Sequence, residues 1–174
     1  SLELTKTVNS LEVLENQAVF SLSNIPDRPG IAAQIFEKLS EASINVDLII
    51  QATNDGNKND ITFTVGELEV KKTAEQCELI TSQLGGEFNL KTNMTKLSIQ
   101  GAGIMGRPSV SADLFDTLSQ ANINVRLIAT SEIKVSCVIE INNIPKAIRF
   151  VAEKFKLSDT QIFVNPINEK QEQP

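Results

Sequence analysis

The spacing of apolar residues changes period several times along the chain. Gln17 to Ser23 alternates, with Val19 and Ser21 opposite Phe20 and Leu22, which predicts a strand. Ile31, Ile35, Phe36 and Leu39 then recur at helical spacing. Pro29 is placed to open that helix, where its missing N–H costs nothing. Asn45 to Ala52 predicts a second strand, followed by the turn-rich Asn54-Asp55-Gly56-Asn57 and a third strand whose Ile61, Phe63 and Val65 share one inward face. Ala74, Cys77, Ile80 and Leu84 mark a second helix, stopped by Gly85-Gly86, and Phe88 to Thr92 closes the run as a strand. The order is β-α-β-β-α-β.

That order returns. Ile25 to Ile49, IPDRPGIAAQIFEKLSEASINVDLI, is echoed by Ile104 to Ile128, IMGRPSVSADLFDTLSQANINVRLI, at an offset of 104 − 25 = 79 residues without a gap. A period of about 80 residues suits a small domain better than a solenoid repeat. The second copy predicts strands at Lys96 to Gln100, Asn124 to Thr130 and Ile133 to Ile141, with a helix from Pro108 to Ala121. A last helix, Ile144 to Phe155, buries Ile144, Ala147, Ile148, Val151 and Phe155, and a short strand follows at Gln161 to Val164. The fold class is therefore α+β, as two ferredoxin-like (split βαβ) units in tandem, 15–93 and 94–167. Residues 4–14 are β-prone yet lie outside the repeat, as a strand on loan to one unit; the polar tail 168–174 is expected to be disordered.

Composition narrows the function. In the 174 residues, 41% are hydrophobic, enough for two cores, but aromatics are 5% with no Trp or Tyr, so those cores rest on Ile, Leu, Val and Phe. The net charge of −6 argues against nucleic acid or an anionic membrane as partner. No apolar run of membrane-spanning length and no signal-peptide pattern is present, which points to the cytoplasm. Cys77 and Cys137 sit on apolar faces of different copies and read as small buried hydrophobes. The chain has no histidine, which removes Ser-His and Cys-His activation and the commonest metal ligand. Gly101-Ala102-Gly103 with Gly106 lacks the spacing of a dinucleotide or P-loop motif. No catalytic constellation is expected.

The joint Asn24-Ile25-Pro26-Asp27-Arg28-Pro29-Gly30-Ile31-Ala32 carries the most chemistry. A helix N-terminus offers unpaired N–H groups and a positive dipole end to a carboxylate. Gly30 allows close backbone approach. Asp27 either caps the helix or supplies a negative charge for an ammonium, and the two receptors together would suit a free α-amino acid. The second copy, Met105-Gly106-Arg107-Pro108-Ser109, has neither the Asp nor the Gly at those positions. Asn45-Val46-Asp47 and Asn124-Val125-Arg126 are either turns or exposed strand starts that could complete a ligand's hydrogen bonds.

DRPGIAAQIF, INVDLIIQ, DITFTV, GAGIMGRPSV and INVRLIATSEIKVSCVI resemble the paired ACT domains of aspartate kinase, over residues 15–165, and are similar in particular to its separately translated regulatory (β) subunit. The resemblance implies an amino-acid-binding module that mediates feedback inhibition by threonine, lysine or both, with no metal or cofactor beyond those effectors. It implies one effector site formed by Ile25, Asp27, Gly30, Ile31, Ala32 and Gln51 with Asn124 and Val125 of the other unit. A second would draw on Asn45, Val46 and Asp47 with Ser109, Val110, Ser111, Ser131 and Glu132; the family usually carries Gly where Ser109 stands. It also implies that the N-terminal strand, 2–14, joins the second unit's sheet. The partners it implies are a second copy in an ACT-mediated homodimer and the kinase catalytic domain or α subunit. The chain then reads as a natural β subunit or as part of a longer kinase, including members with four ACT units. The alternative is a dimerisation scaffold with vestigial ligand sites. An RNA-binding sheet of the same topology would need exposed aromatics and a basic face, which this acidic chain lacks.

Overall fold

In the computed structural model, which describes residues 7–54 and 56–166, the chain separates into two compact α+β units. The first comprises Gln17–Thr92; the second comprises residues 93–166 together with residues 7–16. Among the described residues the strands are β1 (Ser10–Pro26), β2 (Ile49–Thr53), β3 (Lys58–Gly66), β4 (Glu87–Gln100), β5 (Leu127–Thr130), β6 (Lys134–Glu140) and β7 (Ile162–Pro166). The α-helices among them are α1 (Ile31–Glu41), α2 (Val70–Leu84), α3 (Pro108–Gln120) and α4 (Ile144–Phe155). The expected tail 168–174 and the first residues of the expected strand 2–14 lie outside the described residues.

Within the first unit the strand order is β2-β3-β1-β4, the ferredoxin-like arrangement, with β1 and β3 antiparallel in the register Phe20 to Phe63. Alternation along β1 and β3 puts Ala18, Phe20, Leu22, Ile61, Phe63 and Val65 in the core with Ile31, Ile35 and Leu39 of α1 and Cys77 and Ile80 of α2. Residues 31, 35 and 39 fall on one stripe at i, i+4 and i+8, which is why α1 lies flat on the sheet. Phe20 stacks on Phe63 at 5.6 Å between ring centroids, and Phe36 meets Phe63 edge-on at 6.0 Å.

The second unit repeats the plan with an aliphatic strand layer. Leu97, Ile99, Val135, Cys137 and Ile139 pack against Leu114 and Leu118 of α3 and Ala147 and Val151 of α4. Its sheet order is β7-β1-β4-β6-β5. The place of a fourth strand is taken by the first part of β1, whose Leu11 and Val13 are fully buried in this unit's core. β7 then pairs with it in parallel, Leu11 to Ile162 through Glu15 to Pro166.

Several boundaries differ from the sequence reading. The expected strand 4–14, in its part from Ser10 onward, and the expected strand 17–23 form the single strand β1, and 88–92 and 96–100 form the single strand β4. Asn16 (φ 57°) and Asn93 (φ 58°), which lie between those expected strands, take left-handed conformations within continuous strands. Helix α1 begins at Ile31 rather than Pro29, because Gly30 lies at φ 84° and Pro29-Gly30 form a turn ahead of it. Pro108 does open α3. The stretches 45–48 and 124–126 do not join a regular ladder. Asn45 N–H donates to the Glu69 carboxylate at 3.0 Å and Leu48 N–H to Thr64 Oγ1 at 3.0 Å, so side chains take bonds that a strand neighbour would supply. Ile141–Asn143 forms a 3-10 turn instead of extending β6, and the last strand runs from Ile162 rather than Gln161. Among the described residues no helix is long and apolar enough to cross a membrane.

Candidate functional site

The first unit's loop between β1 and α1 is set by a bulge. The β1–β3 register shifts between Leu22 and Ile25, with Asn24 at φ 60°. Asn24 N–H donates to Asp60 at 3.1 Å and its amide to Glu87 at 2.9 Å, which fixes the kink. Pairing then resumes as Ile25 to Asn59 and Pro26 to Lys58, so β3 follows the chain to the edge of the loop. Asp27 N–H donates to the Asn57 carbonyl at 3.3 Å, and Asp27 Oδ1 accepts from the Asn59 amide at 3.3 Å. Thr53 Oγ1 in turn donates to Asn59 Oδ1 at 2.9 Å. Asn59 is only 1% exposed. Asp27 therefore does not cap α1; its carboxylate is held from the side by β3.

The helix tip beyond it is open. Ile31 N–H reaches the Arg28 carbonyl at 3.2 Å and Gln34 N–H the Gly30 carbonyl at 3.0 Å, while no side chain caps the helix. A Cβ built on Gly30 would meet nothing within 4 Å, so this glycine is required for its positive φ and not for packing. Ile25 and Ile31 point into the core, at 0% and 3% exposure, so they can offer a ligand main-chain groups. Gly30 is exposed and Ala32 half-buried; Gln51 is exposed on β2 opposite Ile61. Asn45 and Asp47 are exposed and Val46 packs at the core margin, with Asp47 N–H bonded to the Thr64 carbonyl at 3.0 Å. The first unit thus brings Asp27 and Gly30 of the loop together with Ile31 and Ala32 of the first turn of α1.

The corresponding residues of the second unit have another form. Gly106 takes the positive φ (75°), Arg107 precedes Pro108, and Val110 N–H closes on the Arg107 carbonyl at 3.1 Å. Ser109 is exposed, Val110 buried and Ser111 half-buried. Asn124 is exposed and Val125 packs against the core. Ser131 and Glu132 are exposed on the β5–β6 hairpin, where Ser131 N–H donates to the Lys134 carbonyl at 2.8 Å. The glycine cluster preceding this loop has a packing cause: a Cβ on Gly101 would lie 2.0 Å from the Thr7 carbonyl oxygen.

Asn59, Thr53 and Glu69 were not singled out by the sequence reading. Asn59 is a polar residue at an inward position of a strand, in phase with Ile61, Phe63 and Val65, and that break in alternation is the signal that could have found it. The two cysteines have no part in such a site: burial pushes each thiol up from 9.0 to about 12, with Glu78 adding to the shift at Cys77. Among the described residues no group of His, Cys, Asp and Glu is arranged to hold a metal.

Comparison with known proteins agrees with this architecture. The ACT domain family model matches residues 23–78 and again 97–155. The aspartokinase of Thermus thermophilus is 34% identical over 159 residues, which is 90% of this chain and 39% of that protein. The chain therefore spans about two fifths of the length of the curated relative. The regulatory subunit of aspartate kinase from Thermus flavus superposes with a TM-score of 0.81 at 34% identity, covering 86% of this chain and 99% of that one. A structure of aspartokinase alpha and beta subunits gives 0.79 at 33% identity, with 86% and 99% covered. With two βαββαβ copies matched separately and a regulatory subunit matched nearly end to end, the chain belongs to the ACT-domain family as the paired regulatory domains of aspartate kinase.

Proposed function

We propose that this chain senses a free amino acid, threonine, lysine or both, and transmits feedback inhibition to an aspartate kinase catalytic domain or α subunit, working as a cytoplasmic homodimer. The observation that carries the reading is the first unit's loop. It sets an uncapped helix tip, suited to a carboxylate, beside the laterally held carboxylate of Asp27, suited to an ammonium. The likeness to regulatory subunits supports the partner, since they match over 99% of their own length. An effector acts only through different affinities for two states of the assembly, so binding must favour the arrangement in which the kinase is inhibited.

Calorimetry with L-threonine and L-lysine tests this. Binding of at least one is expected, and Asp27→Ala is expected to weaken it by about 1.5–3 kcal/mol, the range for a hydrogen bond to a charged group. Silence toward both at millimolar concentration by the folded protein would refute the proposal. The changed chemistry of the second loop, with Ser109 where the first unit has Gly30, favours a second reading for that half alone, as scaffold without ligand. One bound amino acid per chain would fit that reading, and two would not.

A further inference from the structure

We infer that Asn59 is the positioning residue of the first effector site: its buried amide turns the Asp27 carboxylate so that one oxygen is occupied and the other is presented to the ligand's ammonium. This inference rests on the amino-acid-sensing reading above and adds to it a residue and a role.

The side-chain amide of Asn59 is fixed at both ends. Thr53 Oγ1 donates to its Oδ1 at 2.9 Å, which leaves Nδ2 directed at Asp27 Oδ1, 3.3 Å away. At 1% exposure the amide cannot swing out to water, and a buried amide without partners is costly. Asp27 itself is exposed, on a loop whose free side chain would sample several rotamers. The bond from Asn59 selects one of them, and Oδ2 has no partner among the described residues. A carboxylate pre-set in this way loses less freedom when it takes an ammonium.

The second unit shows what the loop is without this device. Its register pairs Ile128 with Cys137 where the first unit pairs Ile49 with Phe63, so Ile133 stands in the place of Asn59 (137 − 133 = 63 − 59). Ile133 is 47% exposed, and the loop residue in the place of Asp27 is Gly106 (106 − 27 = 79, the repeat offset). The buried amide and the carboxylate are thus both present in one copy and both missing from the other, which ties them as a functional pair.

A double-mutant cycle on the full chain tests the role, with L-threonine and L-lysine as titrants and thermal unfolding as a check on folding. Asn59→Ala is expected to weaken binding about tenfold, because the Asp27 carboxylate is then no longer pre-set and must be ordered when the ligand binds. The pair Asn59→Ala with Asp27→Ala is expected to bind no more weakly than Asp27→Ala alone, because Asn59 acts through Asp27. Additive losses, or an unchanged affinity in Asn59→Ala, would overturn the inference while leaving the sensing function in place. Silence of the unsubstituted protein toward both amino acids would overturn the sensing function and this role with it. If Asn59→Ala does not fold, Thr53→Val, which removes the donor to Oδ1, must show the same non-additivity with Asp27→Ala; additivity there overturns the role equally.

Discussion

The two units share a frame and differ at one end of it. Both have two helices on a sheet, matching stripes on α1 and α3, and a 3-10 turn that leads into the last helix, Glu67–Glu69 in one and Ile141–Asn143 in the other. Between register partners Ile49 and Phe63 lie 63 − 49 = 14 positions, against 137 − 128 = 9 between Ile128 and Cys137, so the first unit's hairpin is five residues longer. The longer hairpin lets β3 pair with β1 as far as Pro26, whereas β6 pairs with β4 only as far as Gln100. That extension carries Asn59 to the loop and gives Asp27 its support. Duplication preserved the hydrophobic layers, where every position is constrained by its neighbours, and let polar support diverge at the loop end, where a few hydrogen bonds decide the geometry.

The shared frame can be broken with paired truncations. Ile35→Ala and Leu114→Ala occupy the same place in the two copies (114 − 35 = 79, the repeat offset) and are both fully buried. Each is expected to cost about 2–5 kcal/mol in chemical denaturation, the range for large-to-alanine changes in a core. A cost under 1 kcal/mol at either position would mean the cores are not equivalent.

The divergent end predicts unequal effects. Glu69 is buried and holds the Asn45 N–H, while Asn143 stands in its place before α4. Glu69→Ala is expected to destabilise by about 1.5–3 kcal/mol, the loss of a hydrogen bond to a charged group, and Asn143→Ala by less than half of that. Equal costs would remove the asymmetry. The smallest contrast is at the helix tips. Gly30→Ala forces a side chain to φ 84° and is expected to cost about 1 kcal/mol, whereas Ser109→Ala, outside the left-handed region, should be near neutral in thermal unfolding.

Much of this was legible before any coordinates. The repeat announced two units, the stripe Ile31, Ile35 and Leu39 marked the core face of α1, and α4 runs from Ile144 to Phe155 as its periodicity predicts. Strand continuity was not legible, because nothing in the local pattern shows that Asn16 and Asn93 are left-handed residues inside long strands. Helix α1 starts two residues after Pro29, because a proline suits a turn as well as a helix opening.

Sequence alone determined what depends on neighbours along the chain or on composition: the period of each apolar stripe, the two small domains, the acidic net charge, and the lack of histidine chemistry. Tertiary structure decided what depends on residues far apart in sequence but close in space. Asn59 meets Asp27 across 32 positions and Glu69 meets Asn45 across 24. Hydrophobic burial is non-directional and shows in composition and period, whereas a hydrogen bond needs its two atoms within about 3 Å in a set orientation, and only the folded chain supplies that.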